Sequence, residues 1–423
     1  MRLPSLLAAT ALAAIASPAL ADTTIIHAGA VITDAASNPT GPATITVTDG
    51  RIVSIVDGFQ PTPEGATMVH LPDHTVLPGL IDLHVHLTGD PGGDFWKEAT
   101  EPEEWGVVLG AKNARLTVLA GFTTVREAGS AQHTAFSLRR ATAEGLMPGP
   151  RIIAAGPALA IVGGHGDTNG FRPEVNAVLD TGYTCTGPVE CAEKVRLASQ
   201  NGADVIKITA TGGVLSQQGR GLEAHFSAEE MKSIADTAHS LGLKVMAHAH
   251  GARGIEAVAK AGIDTVDHGT YLDEAAARAM RDNGTVLVPT LMALQGVSEG
   301  LGKGVYTPVV EAKIRAVQPL MATLVSRARA NGVTIAFGTD SGVYEHGRNA
   351  EEFALMKAQG MTDREALASA TTVAARVLSM ENEIGRLAPG YSADIIAVKG
   401  NPLTDVTVLE NVDWVMARGR VME

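Results

Sequence analysis

Six polar side chains stand where buried strands should carry none. His84 and His86 lie in I-D-L-H-V-H, Lys207 in D-V-I-K-I-T-A, His248 in K-V-M-A-H-A-H, and His268 in D-T-V-D-H-G. Asp340 ends V-T-I-A-F-G-T-D. Residues two apart on a strand face the same side, so His84 and His86 point together. A single strand histidine is usually a hydrogen-bonded core residue, and H-x-H alone is a weak motif. Six coincident polar residues are another matter, because each buried polar group needs partners. Imidazoles and a carboxylate around one centre suit divalent metal, zinc above all. Lys207 has two readings. As a neutral amine it takes up CO2, and the resulting carbamate bridges two metal ions. As an ammonium it pairs with Asp204 or Asp340 in a pocket with one metal or none, since a cation among metal ions is unfavourable.

The elements that position these residues follow from texture. Between Gly79 and about Gly347, short β-branched runs alternate with amphipathic stretches at 104–120, 132–145, 227–241, 252–261, 273–282, 308–331 and 350–359. Near-continuous apolar strands indicate a buried parallel sheet. Eight such units predict a (β/α)8 TIM barrel, whose C-terminal face carries active sites, and all six polar residues fall at that face. No G-x-G-x-x-G turn follows the first strand, so a doubly wound dinucleotide fold gains no support. Residues 363–379 read as a final helix. Strand-rich segments at both ends, with Asp49-Gly50 as a hairpin turn, predict a small β-sandwich domain built from both termini. The expected division is a signal peptide over 1–21, the sandwich over 22–77 plus 380–423, and the barrel over 78–379.

Residues 1–21 carry Arg2, an apolar run from Leu6 to Ile15 and an Ala19-Leu20-Ala21 cleavage site, so the chain is expected to be exported, periplasmic or secreted. No later stretch reaches 18 consecutive apolar residues, so no membrane association is expected after cleavage. In an oxidising compartment Cys185 and Cys191 are expected to form a local disulfide across the Gly187-Pro188 turn. The formal net charge of −13 argues against nucleic-acid binding, and a hydrophobic content of 45% against disorder.

The chain resembles the amidohydrolase superfamily over essentially its whole mature length. P-G-L-I-D-L-H-V-H (78–86) is similar to that family's first-strand motif, and D-V-I-K-I (204–208) to its carboxylated-lysine strand. H-A-H-G (248–251), D-H-G-T (267–270) and G-T-D-S-G (338–342) match its remaining ligand positions, and 385–403 its closing sandwich segment. The resemblance implies a dinuclear zinc site. His84, His86 and Asp340 would hold the more buried ion and His248 and His268 the other, with carboxylated Lys207 between them. It favours His248 over His250 as the ligand. His248 is followed by Ala-His-Gly rather than by the glutamate of the mononuclear deaminases. Together with G-G-H-G-D (163–167) and H-G-T-Y-L-D (268–273), this looks most like the peptidase branch. Members of that branch cleave dipeptides and N-acyl amino acids at the C-terminal residue, including Xaa-Pro and Xaa-Arg substrates, and ochratoxin-hydrolysing amidohydrolases share the motif.

Such a site implies attack by metal-bound hydroxide, with Asp340 passing the proton to the leaving amine. Tyr271 is a candidate for binding the oxyanion, or else packs under a loop. Gly-rich loops at 163–167 and 211–221 are expected to line the substrate pocket. His165, His250, His346 and Arg220 are candidate substrate contacts, with Arg348 at the mouth. Arg220 would take a carboxylate or simply be solvated. The mainly apolar loops fit an apolar or aromatic C-terminal residue. Lactone or cyclic-amide hydrolysis on the same site is the rival activity, and an inactive binding protein the rival class. The partner is then a small-molecule substrate, and relatives in the family are often ring-like homo-oligomers.

Overall fold

The computed structural model describes residues 22–168, 170–217 and 221–423. Seven strands make up most of the barrel wall. β5 (Leu80–Val85), β6 (Phe122–Glu127) and β7 (Arg151–Ala154) pair in parallel, as do β8 (Val205–Thr209), β9 (Lys244–Ala249), β10 (Thr265–His268) and β11 (Val286–Val288). The two groups join where Leu159 pairs with Ile208. The eighth strand is irregular. Residues 333–341 run between β11 and β5 through the bridges Leu287–Ile335 and Val85–Ser341. Asp340 N donates to His84 O at 2.7 Å and His86 N to Ser341 O at 2.7 Å, while Phe337 N turns away to Ser369 O at 3.1 Å. The ring therefore closes as a TIM barrel, with strands such as β8 buried along their whole length.

The outer helices are α1 (Trp105–Leu119), α2 (Thr134–Glu144), α3 (Pro173–Leu179), α4 (Pro188–Gln200), α5 (Ala228–Ser240), α6 (Ala252–Lys260), α7 (Glu274–Asn283), α8 (Leu291–Glu299), α9 (Pro308–Met321), α10 (Leu324–Ala330) and α11 (Glu351–Ala358). Local chemistry sets many of their ends. Ser227 with Glu230 forms a capping box on α5, and proline starts α3, α4 and α9. Three helices were not expected: α3, α4 and α8. Pro188 opens α4 instead of making a turn. The Cys185–Cys191 disulfide, with both residues buried, ties the preceding loop to the first turn of that helix. The final helix is broken into α12 (Asp363–Ala368), a wide turn over 369–373, and α13 (Ala374–Val377).

Both termini share one seven-stranded sheet. β1 (Thr23–Val31), β2 (Ala43–Thr48), β3 (Arg51–Asp57) and β4 (Thr67–Pro78) meet β12 (Ile395–Val398), β13 (Val412–Ala417) and β14 (Arg420–Val421) in the order β14-β13-β12-β4-β1-β2-β3. Asp49 and Gly50 make the tight turn between β2 and β3 at φ 48° and 76°. The sheet's free edge returns on itself, because Arg51 bridges Ser392 and Ala393 N donates to Gly50 O at 2.9 Å. Ile26, Ile45, Val76, Ile395 and Met416 fill the enclosed core, giving the β-sandwich.

Candidate active site

At the C-terminal mouth of the barrel, β5, β8, β9, β10 and the eighth segment bring the six polar residues together. His84 Nε2 lies 3.3 Å and His86 Nε2 3.4 Å from the same atom, Asp340 Oδ1. That oxygen is buried and has no hydrogen-bond partner among the described residues. Donor atoms of His84, His268 and Asp340 all fall within 4.8 Å of one another, and so do those of His248, His250 and His268. Lys207 is buried on β8, its Nζ 3.9 Å from Asp267 Oδ2. An orphaned carboxylate oxygen beside converging imidazoles is what a divalent ion would complete, so this donor set fits metal.

Four of the imidazoles are oriented from behind. His84 Nδ1 lies 2.8 Å from Asp267 Oδ2, His86 Nδ1 3.0 Å from Gly129 O, His268 Nδ1 2.7 Å from Thr290 Oγ1 and His250 Nδ1 2.7 Å from Thr270 Oγ1. Such outer partners fix ring direction and leave the other nitrogen for a ligand. The backbone is bent to the same end. His268, Thr290 and Asp340 hold φ of 76°, 48° and 62°, a region costly for side chains that carry a Cβ.

Burial sets the protonation states. It pulls His86 down to about 4 and His165 and His250 to about 3, and it holds His248 and His268 well below the usual imidazole range. These rings are therefore neutral, the ligand form. His84 is raised: burial and Lys207 oppose its charge, but Asp340 and Asp267 outweigh them. Burial lowers Lys207 toward the neutral amine that can take up CO2. Asp267 titrates well below the usual range. Burial would raise it, but Arg126, His84 and Lys207 prevail.

Above this centre lies a cavity of about 1040 Å3. His165 and His250 line it beside the six residues, and Trp105, Leu215, Leu294, Val297, Met321 and Val343 supply apolar wall. The His165 ring is 4.2 Å from that of His248, and its Nδ1 is 2.6 Å from Ser216 Oγ. Three expected residues are placed otherwise. Tyr271 does not line the cavity. The chain turns at His268 and Gly269, both at positive φ, so Thr270 faces inward and Tyr271 follows it outward. His346 sits behind the first strand, its Nε2 3.2 Å from His86 O and its Nδ1 3.3 Å from Thr117 Oγ1. Arg348 is spent on Glu299, Glu345 and Glu351. Arg220 lies outside the described residues.

Beneath the centre lies a buried charged layer to which no sequence motif assigned a role. Arg126 donates to Leu83 O at 2.6 Å and to Asp267 Oδ1 at 3.2 Å. Asp82 accepts from His84 N, Thr339 and Asn349, tying the first strand to the eighth. These residues break the same rule, charge inside a buried strand, that singled out the six.

Barrel, sandwich and polar centre define a (β/α)8 hydrolase whose donor set can hold divalent metal. The chain belongs to the amidohydrolase family, whose model matches residues 75–422. It is similar to ochratoxinase from Aspergillus niger, at 32% identity over 421 residues, covering 94% of this chain and 85% of that one. Among solved structures, a Xaa-Pro dipeptidase with methionine bound in its active site superposes with a TM-score of 0.88 at 38% identity, covering 95% of this chain and 100% of that one. A prolidase complexed with N-methylphosphonate-L-proline gives 0.87 at 31%, covering 95% and 99%. These relatives place the chain in the peptidase-like branch.

Proposed function

We propose that this hydrolase cleaves the amide bond of dipeptides or N-acyl amino acids, ochratoxin-type amides included, and releases the C-terminal residue. The observation that carries the reading is the convergence of His84 and His86 on one orphaned oxygen of Asp340, with His268, neutral His248 and buried Lys207 alongside. His84, His86 and Asp340 would hold one divalent ion, taken as zinc, and His248 and His268 a second, with carboxylated Lys207 between. Bound there, such ions supply Lewis acidity toward the scissile carbonyl and hydroxide at neutral pH. Asp340 is the carboxylate that accepts the attacking water's proton, at the oxygen not turned to His84 and His86, and returns it to the leaving nitrogen. His84, His86 and Lys207 hold it below the usual carboxylate range, against the effect of burial, so it is ionised and open to a proton. His165 and His250, neutral and at the cavity wall, orient the substrate by hydrogen bonds. The apolar wall supports an apolar or aromatic side chain at one end of the substrate.

The test is a panel of dipeptides and N-acyl amino acids, read by the amino acid released. Turnover of lactones or cyclic amides alone would replace this reading. Lys207→Ala should lower metal content and activity together, and unchanged activity would remove the carbamate. Export is inferred from the 1–21 leader, and the Cys185–Cys191 bond supports an oxidising compartment. N-terminal sequencing of the mature protein checks it.

A further inference from the structure

The loop after β8 meets three histidines of the cavity, His165 and His248 at their rings and His250 at its backbone N–H. Thr211 Oγ1 accepts from His250 N at 3.0 Å, and Gly212 O lies 3.3 Å from His248 Nε2. Gly213 passes so close over the His165 ring that a Cβ there would come within 2.2 Å of it. Val214 and Leu215 then enter the cavity wall, where they pack with Val297, Val310 and Ile314. Ser216 ends the run on His165 Nδ1.

This loop is joined to a distant element by one cation. Lys313, in the middle of α9, donates to Gly213 O at 2.8 Å and to Ser216 O at 2.6 Å. The two carbonyls bracket Val214 and Leu215. Thr307 Oγ1, at the start of the same helix, donates to Gln217 Oε1 at 2.9 Å. The ammonium is half-buried, and it has given up water for these carbonyls.

We propose that Lys313 is a positioning residue for substrate: by fastening both ends of the 213–216 segment to α9, it sets the apolar wall at Val214 and Leu215 and the ring of His165 together. The inference rests on the amidase reading for its kinetic consequence, although not for its structural one. The described contacts of Lys313 are to the carbonyls of Gly213 and Ser216, which carry the wall rather than the candidate metal ligands, so its loss should act on binding more than on the metal centre.

Lys313→Met removes the donors, Lys313→Arg restores them, and Ser216→Ala cuts only the link to His165. In Lys313→Met, KM for a cleaved N-acyl amino acid should rise about tenfold or more, with kcat within about twofold. Zinc per chain, by elemental analysis, should be unchanged. Hydrogen exchange over 211–217 should quicken and His165 should react faster with diethylpyrocarbonate, by peptide mass spectrometry. Lys313→Arg should recover all three changes, and Ser216→Ala should raise KM and His165 reactivity without quickening the loop. If Lys313→Met fails to fold, Ser216→Ala and Lys313→Arg carry the test. Unchanged KM, exchange and His165 reactivity would overturn the proposal, as would metal lost in step with kcat. If the wild-type enzyme cleaves no amide, the amidase reading fails alone, and exchange and His165 reactivity still decide the role of Lys313.

Discussion

Asp267 bears on three residues at once: His84, Arg126 and Lys207 all meet its carboxylate in a fully buried position. Removing its charge leaves Arg126 uncompensated and lets the His84 ring turn. Asp267→Asn should weaken metal binding about 10- to 100-fold and destabilise the fold by about 3 kcal/mol. Metal titration and urea denaturation measure the two losses. His346 gives a pH signature. Burial lowers it from 6.5 to about 4, against the pull of the His86 carbonyl and Asp90. The unfolded chain therefore binds its proton first. The stability it contributes is complete above pH 6.5 and drains away as pH falls toward 4, by up to about 3 kcal/mol. His346→Gln should flatten that slope in denaturation curves taken between pH 4.5 and 7. At this scale the sequence was legible wherever polarity contradicted a buried strand. Asp267 and Arg126 contradict it equally, and their weight went unread because 141 residues separate the pair in sequence. Tyr271 and His346 were misplaced because nearness to a strand end in sequence does not say which way the chain turns there.

Elements were read best where apolar periodicity was plain. The barrel strands announced themselves as β-branched runs, and α5 as the amphipathic stretch at 227–241. α3 escaped because none of its residues is buried, so it leaves no apolar stripe to detect. α8 was not expected, and no side chain beside it in sequence caps its start. Glu352 on α11 accepts Leu291 N at 3.0 Å and Met292 N at 2.7 Å instead. α4 hid behind Gly187-Pro188, which reads equally as a turn. The Cys185–Cys191 bond then closes a short loop onto a helix start rather than stiffening a free loop. By loop-closure entropy, Cys185→Ser with Cys191→Ser should cost about 2 kcal/mol, seen as a lower thermal midpoint in oxidising buffer. Equal midpoints would show that the core holds α4 without it.

Sandwich and barrel are one piece of chain as well as two cores. β4 pairs with β12 up to Pro78 and passes through Gly79 directly into β5. A side chain at Gly79 would meet Thr123 Oγ1 at 2.1 Å. Arg418 reaches Thr142 O across the junction at 2.7 Å, and Arg151 reaches Asp394 at 3.4 Å. A chelator-treated sample should therefore melt in a single calorimetric transition, at a lower midpoint than the loaded enzyme. Two separated transitions would show that the cores unfold independently. No helix among the described residues is long and apolar enough to cross a membrane. The two-domain plan was legible because strand texture at both ends matched. The irregular eighth strand was legible in its residues but not in its pairing, which depends on where Ser369 takes up the Phe337 N–H.

The three left-handed residues at the strand ends have a consequence for anyone selecting sturdier variants. Glycine would relax the backbone at His268, Thr290 and Asp340. A screen scored on heat resistance alone should therefore enrich those replacements, and each survivor would have discarded a candidate metal ligand or the hydroxyl that aims one. Selection on this scaffold has to score turnover and thermal midpoint on the same clone, since at these positions the two quantities move in opposite directions.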